Sequence, residues 1–563
     1  MVSRLILHED EHLLVINKPA GWNTHAPHPF AGEGVYDWLR HREPRWANLA
    51  IIHRLDKATS GVLVFAKTPA ANRSLTDQFT RHLVRKRYLL LTATPPPKDE
   101  LLVRSRLVRR GERYASDARA REAREAVTSF VRRGEDPTGA SVVEAEPRTG
   151  RTHQIRVHAA EQGFPVLGDT LYGGPAAERL YLHAALLELA DPVTGATRRL
   201  AAEPEFTEPV RDRLREALIV PEETDAWRVA HGEAPLPGWS VDRWGDWLLA
   251  DGPAAAGSAR ERQAVEDELE RWCRRYGLRG ALCRITRGGP RARAENGNTG
   301  RWSYGEPAPA AWTVRENGVR FEVRLGYPGG AAATVTADQQ ERAGRSDPSP
   351  TAPGGSGSVG LFLDQRDNRR RLLVNHVAAG FPAFPDSPVG AAVLNLFAYT
   401  CGFSVCAAKA GARTTSVDLS RRYLEWGQRN FVLNGLDPAA HEFLHGDVFE
   451  WLRRLARKGR RFAVALVDPP TFSTSKASGV FRVEADYERL VRAVLPLVEP
   501  AGRLFASTNA ATLAPERFVA GLHRAVAAGG RRILAEHFVP QPPDFPSSSD
   551  APAYLKTVWL RLD

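Results

Sequence analysis

The hydrophobic pattern changes character along the chain, and that change excludes a single core. Up to about residue 205, short apolar runs alternate with turns. Leu13-Leu14-Val15-Ile16 is followed by Lys18-Pro19-Ala20-Gly21, and Tyr88-Leu89-Leu90-Leu91 comes later. This spacing predicts α+β structure with a mixed, largely antiparallel sheet. From Gly360 onward the pattern becomes repeating strand and helix, which predicts a doubly wound, Rossmann-like α/β unit. A chain of 563 residues is in any case too long for one core. We expect an α+β domain over 1–205 and a connector over 206–221. A small α+β adaptor over 222–330 follows. Residues 331–358, rich in Ala, Gly, Ser, Pro and Thr, read as a linker or insertion. The α/β domain takes 359–563.

Charge narrows the partners. The formal net charge is +11, and only nine of the 77 basic residues are lysine. Such a balance suits a polyanion, and arginine suits bidentate phosphate contacts and base stacking. Four cysteines, Cys273, Cys283, Cys401 and Cys406, are too few for a disulfide framework and lack zinc-ligand spacing. No metal is expected, and a reducing, cytoplasmic setting is. The charged amino end is no signal peptide. The most apolar long window, Val389 to Ala408, contains Asn395, Tyr399, Thr400 and Ser404, and reads as strand, turn and helix rather than a membrane span.

Chemistry is concentrated in His53-Arg54-Leu55-Asp56-Lys57-Ala58-Thr59-Ser60-Gly61. It sets one acid in a basic turn between apolar runs. A carboxylate among His53, Arg54 and Lys57 should stay ionised and could act as nucleophile or base. An Asp in such a turn is more often only a turn residue or a surface ion pair. The segment differs from the kinase His-Arg-Asp loop by its inserted leucine, and no glycine-rich loop or Asp-Phe-Gly accompanies it. It resembles the signature of the RluA-type pseudouridine synthases. Arg85-Lys86-Arg87-Tyr88, Gly150-Arg151-Thr152-His153-Gln154-Ile155-Arg156-Val157-His158, Gly168-Asp169-Thr170-Leu171-Tyr172-Gly173 and Leu182-His183-Ala184 agree in order. The resemblance implies Asp56 as nucleophile or base, Tyr88 against a flipped uracil, Arg156 paired with Asp56, and Arg54 wedged into RNA. It implies no cofactor. Thr152 to Gly163 alternates like a strand at first, but its length favours a helix with Thr152 as cap and Arg156 about one turn in.

In the carboxyl-terminal part, Val393 to Tyr399 reads as a strand and Phe403 to Lys409 as a helix stopped by Gly411. Asp418 lies 23 residues beyond Asn395, at a strand end, where an acid can accept from ribose hydroxyls, although a single such acid is more often a cap. Asp447 ends the next strand, near where an adenine would lie. Asp468-Pro469-Pro470-Thr471-Phe472 ends another; its rigid proline pair can present carbonyls and the acid to a flat base, with Phe472 stacking. This part resembles the class I ribosomal RNA methyltransferases of the RlmI and RlmK types. The resemblance is carried by Gly360-Leu361-Phe362-Leu363-Asp364-Gln365-Arg366, Asn395-Leu396-Phe397-Ala398-Tyr399-Thr400 and Val467-Asp468-Pro469-Pro470-Thr471-Phe472-Ser473. It implies S-adenosylmethionine as donor, with Gln365, Asn395, Gly402, Asp418, Asp447 and Asp468 on the cofactor side. Leu236-Pro237-Gly238-Trp239 through Asp242-Arg243-Trp244-Gly245 resembles the segment preceding the catalytic domain in RlmI-type enzymes.

Two departures matter. The family often has glycine where Cys401 stands, and a side chain there is expected to crowd the methionine end. Leu504-Phe505-Ala506-Ser507-Thr508-Asn509 carries no thiol where the cytosine-directed RlmI type has its nucleophile. A guanine nitrogen is therefore favoured as methyl acceptor over carbon 5 of cytosine. The resemblances together imply a bifunctional RNA-modifying enzyme, with 23S rRNA the first substrate and tRNA the alternative. A second possibility is an RNA-binding assembly factor with a vestigial methyltransferase site. The amino end leaves no room for the small S4 module many relatives carry, so RNA grip is expected from the catalytic surface or the middle unit.

Overall fold

The fold is that of a computed structural model, which describes residues 4–204, 206–253, 259–286, 301–324, 359–475, 479–545 and 553–563. The expected linker, 331–358, lies outside the described residues. The chain forms two compact units. The first comprises the residues up to His28, Glu33–Arg40 and Arg45–Val220. The second comprises Pro29–Gly32, His41–Pro44 and the described residues from Pro221 onward.

The first unit is organised on an eleven-stranded sheet. Its main path runs Ile6–Glu9, Leu13–Lys18, Ser60–Ala66, Leu182–Ala190, Arg85–Thr92, Ser141–Pro147, Arg124–Glu135, Glu100–Arg110 and Arg113–Ser116. Alternate residues of a strand face opposite sides. Leu14, Ile16, Leu63 and Phe65 pack with Trp22 and Trp38 on one face; Leu13, Val15, Val62 and Val64 pack with Leu75 on the other. Both faces are covered there, so the strands read as unbroken apolar runs. One neighbouring pair on the path is parallel: Ser60–Ala66 beside Leu182–Ala190, with His183 opposite Ser60 and Ala184 opposite Gly61. The Asp56 turn feeds directly into this pair, closed by the Thr59 N–H donating to the Asp56 carbonyl at 3.1 Å.

The second unit opens with a five-stranded sheet ordered Ala226–His231, Ser240–Trp244, Trp247–Pro253, Gly280–Thr286 and Arg301–Gly305. Leu236-Pro237-Gly238-Trp239 is the loop joining its first two strands. A hairpin follows, Ala311–Glu316 and Val319–Arg324, turned by Asn317 and Gly318 at φ 52° and 75°. Asn-Gly is the pairing that such a two-residue turn demands.

A seven-stranded sheet completes the second unit, ordered Glu442–His445, Arg413–Asp418, Ala392–Leu396, Phe462–Val467, Val498–Thr508, Lys556–Leu562 and Ile533–Pro540. The first five are parallel; Lys556–Leu562 is antiparallel to both neighbours. The order reverses between Ala392–Leu396 and Phe462–Val467, where an open α/β sheet binds its ligand. The strand expected over Val393 to Tyr399 stops at Leu396 because Phe397, Tyr399 and Cys401 take φ of 57°, 49° and 62°. Among the described residues, no helix is long and apolar enough to cross a membrane.

Candidate active sites

Asp56 sits at the head of the parallel pair, and its surroundings come from four other segments. The arginine block folds as a helix, Gln154–Glu161, entered through His153 at φ 56°. Thr152, expected as its cap, is not the capping residue, because the chain turns in through left-handed His153 instead. Helical spacing then divides the block between two faces. Gln154 donates to the Val127 carbonyl (3.0 Å) and the Thr128 hydroxyl (2.9 Å), and accepts from the Thr149 hydroxyl (2.7 Å) and the Arg151 N–H (3.0 Å). His158, one turn on, bonds Thr128 and Ser105 at 2.9 and 3.0 Å. With this face pinned to the sheet, His153 and Arg156 project toward Asp56. The Arg156 Nη1 lies 3.5 Å and the His153 Nε2 3.7 Å from the Asp56 Oδ2.

The cation against Asp56 is thus Arg156 rather than one adjacent in sequence, since burial lowers the His153 pKa and favours its neutral ring. Arg54 and Lys57 are exposed. The His53 ring stacks on Phe79 at 4.7 Å, and its Nε2 accepts the Val64 N–H at 3.2 Å. A nitrogen that accepts carries no proton, and burial pushes the His53 pKa down to about 3. The expectation that His53 helps hold Asp56 ionised is therefore corrected.

Three further residues complete the site, and sequence reasoning missed them. Lys18 is fully buried, and its Nζ donates to the carbonyls of Pro19 (2.9 Å), Trp22 (2.7 Å) and Lys57 (3.3 Å). Burial pulls its pKa down to about 7, against the attraction of Asp56. Asp169 takes both the Nε and the Nη2 of Arg156, at 2.7 and 2.8 Å. The Tyr172 ring lies 5.0 Å from the Arg156 guanidinium carbon, and its hydroxyl bonds the His153 Nδ1 at 2.8 Å. Burial alone would lower the Arg156 pKa, but the Asp169 carboxylate raises it. The half-buried Tyr88 phenol is pushed upward by burial and by Asp56, so it stays protonated and can donate. The spacing of Asp169 and Tyr172, three residues apart between glycines, is the signal that could have found them.

The second site lies at the carboxyl ends of the parallel strands. The Asp418 Oδ2 accepts the Tyr399 N–H and its Oδ1 the Ser420 N–H, both at 2.8 Å. Each oxygen keeps a lone pair for a hydroxyl, so Asp418 fits a ribose. Burial raises its pKa against those two bonds. The strained turn over Phe397 to Cys401 brings the Tyr399 N–H to this acid. Asp447 accepts the Glu450 N–H at 3.1 Å and caps helix Val448–Arg457. Asp468 receives the Gln365 Nε2 at 3.3 Å, and the same nitrogen donates to the Ser507 hydroxyl at 2.8 Å. Burial lifts Asp468 to about 6, opposed by a bond with Ser507. Pro469 is buried, Pro470 and Phe472 are half-buried, and the Arg482 guanidinium carbon lies 5.6 Å from the Phe472 ring centroid.

Two other predicted residues are engaged by the protein itself. The Asn395 amide donates to the Ser404 hydroxyl at 2.9 Å and ties its strand to the next helix. A Cβ on Gly402 would stand 3.2 Å from Leu361 Cδ1, so its close approach is to the protein. The expected crowding by Cys401 is also corrected. Its side chain is fully buried, and a Cβ on Gly427 would stand 2.4 Å from the Cys401 sulfur. The thiol faces the helix Arg421–Leu433.

The two acid sites thus belong to two distinct catalytic folds, an RNA isomerase fold and a methyl-transfer fold. The RNA pseudouridylate synthase family matches residues 12–161, and the S-adenosylmethionine-dependent methyltransferase family matches residues 353–561. A ribosomal RNA large subunit methyltransferase of Deinococcus radiodurans is 30% identical over 344 residues, 61% of this chain and 73% of that protein. Ribosomal large subunit pseudouridine synthase C of Yersinia pestis is 37% identical over 227 residues, 38% of this chain and 68% of that protein. Ribosomal RNA large subunit methyltransferase K of Neisseria meningitidis is 38% identical over 153 residues, 27% of this chain and 40% of that protein. The chain belongs to the pseudouridine synthase family in its amino-terminal part and to the S-adenosylmethionine-dependent methyltransferase family in its carboxyl-terminal part.

Proposed function

We propose that this chain is a bifunctional RNA-modifying enzyme, isomerising a uridine to pseudouridine and methylating a base nitrogen, first of all in 23S rRNA. The ribosomal substrate is supported by the names of the relatives in both halves. The observation that carries the reading is Asp56 itself: a half-buried carboxylate between Arg156, His153 and the protonated Tyr88 phenol. In this reading an extruded uridine enters beside Asp56. Asp56 acts as nucleophile or base while the glycosidic bond to N1 breaks and carbon 5 bonds to the ribose; carbon 5 then loses its proton and N1 gains one. Tyr88 contacts the uracil. Exposed Arg54 fills the space the base has left. The half needs no cofactor.

In the methyltransferase half, S-adenosylmethionine when bound supplies an electrophilic methyl group on a sulfonium. Asp418 would hold its ribose, with Asp447 near the adenine. Asp468, Pro469 and Pro470 would present the acceptor base, and Phe472 would stack on it. A nitrogen acceptor is favoured because Cys401 and Cys406, the cysteines of this domain, are buried and their thiols pushed up by burial. Neither suits the nucleophile that carbon methylation requires. That the Cys401 sulfur faces Gly427 supports a working site over a vestigial one. We take 1–205, 222–330 and 359–563 as the domains, and a cytoplasmic setting. The test is mass-spectrometric mapping of ribosomal and transfer RNA from a deletion strain complemented with Asp56→Asn or Asp468→Ala. The first should lack one pseudouridine and keep a methylated base; the second should show the reverse. Unchanged maps for both variants would refute the proposal, and losses confined to transfer RNA would reassign the substrate.

A further inference from the structure

We propose that Asp169 and Tyr172 are positioning residues for the isomerisation, acting as a permanent clamp on Arg156 that keeps its charge paired while Asp56 changes its own. This rests on the reading of Asp56 as the reacting acid. A guanidinium presents its N–H groups in a fixed planar fork. Two of the three nitrogens of Arg156, Nε and Nη2, are engaged by the Asp169 carboxylate at 2.7 and 2.8 Å, and Asp169 is 2% exposed. Only Nη1 faces Asp56, at 3.5 Å, well beyond the length of a charge-assisted hydrogen bond. The stronger partner of Arg156 is therefore Asp169.

One short turn supplies the clamp. Asp169 precedes the 3₁₀ turn Thr170–Tyr172, in which residues three apart eclipse on one side. Asp169 then takes the guanidinium edge while Tyr172 lies against it at 5.0 Å. Glycines seat the turn. A Cβ on Gly168 would stand 1.7 Å from the Arg179 carbonyl oxygen, and one on Gly174 would stand 2.2 Å from that of Val166. The Tyr172 hydroxyl accepts the Tyr114 N–H at 2.8 Å and bonds His153, so the ring cannot slide.

The chemical reason lies in how charge moves. While Asp56 is bonded to the nucleoside or holds its proton, it is no longer an anion. An arginine paired with Asp56 alone would then be a buried, unpaired cation, which is costly. With Asp169 as partner, Arg156 stays neutralised throughout. The groups facing Asp56 are Arg156, His153, Lys18, Tyr88 and Tyr172; those facing Asp169 are Arg156, His153 and Tyr172.

The test uses the full chain and a large-subunit rRNA transcript tritiated at uracil carbon 5, with tritium release for isomerisation and methyl incorporation as the check on folding. Asp169→Asn should lower kcat about 10- to 100-fold with KM nearly unchanged. The acidic limb of its pH–rate profile should move to lower pH, because Arg156 is then left with Asp56 as its nearest anion. Asp169→Glu should recover part of the rate. A normal kcat, or a loss of kcat with the limb unmoved, would overturn the inference. If Asp169→Asn does not fold, Arg156→Lys serves, since a point charge cannot keep both carboxylates; a wild-type rate there would overturn the clamp. Isomerisation surviving in Asp56→Asn would instead sink the reading on which the inference rests.

Discussion

Cys401 shows how one side chain reports its surroundings. It stands at φ 62°, a conformation that costs a non-glycine residue roughly 1 kcal/mol or more. Its sulfur occupies the space left by the missing side chain of Gly427. Gly427→Ala should therefore destabilise the second unit by about 1–3 kcal/mol through overpacking. The same change in a Cys401→Gly background should cost much less, as urea unfolding of the single and double variants would read. Asp468 makes a second residue-level prediction. Burial lifts it to about 6. As pH falls through that value the carboxylate gains a proton, so methyl transfer should fall by half near pH 6 if the anion faces the base. A raised acid contributes stability below its unfolded value and loses it as pH rises through the folded one. Asp468→Asn should therefore raise the melting temperature at about pH 8 and leave it nearly unchanged at about pH 4.

Elements are joined by contacts between residues far apart in sequence. Gly61 has φ 117°, and a Cβ there would stand 2.3 Å from the Ala184 carbonyl oxygen. Gly61→Ala should separate the parallel pair that carries the Asp56 turn. We expect it to cost at least about 2–3 kcal/mol in chemical denaturation and to abolish isomerisation while methyl transfer survives. In the second unit, Glu316 of the Asn-Gly hairpin takes the Arg369 Nε and Nη2 at 2.6 and 2.8 Å, both partners buried. Glu316→Ala leaves a buried cation unpaired and should cost about 3–5 kcal/mol. The apolar strand runs were legible beforehand, because local periodicity sets them. The early end of the strand at Leu396 was not. It depends on a left-handed turn adopted by Phe397, Tyr399 and Cys401, whose own preferences give no hint of it.

At the scale of the whole molecule, two catalytic families share a basic chain. RNA binding should weaken steeply with salt, with log affinity against log salt falling by roughly 0.7 to 0.9 per phosphate contacted. Filter binding across a salt series checks this, and a flat response would argue against phosphate contacts as the main grip. The class of each half was determined by the sequence alone, and Asp56, Arg156, Asp418 and Asp468 were legible there as candidates. Their motifs are contiguous, and acids at turns and strand ends leave a local trace. The tertiary structure decided which groups attend Asp56. His53 and Arg54, adjacent in the chain, turn inward to Val64 and outward to solvent. Arg156, His153, Lys18 and Asp169 arrive from elements up to about a hundred residues away. A strand's alternation and a helix's pitch fix where a side chain points relative to its own element. What it meets there depends on sheet order and packing, which no local pattern encodes.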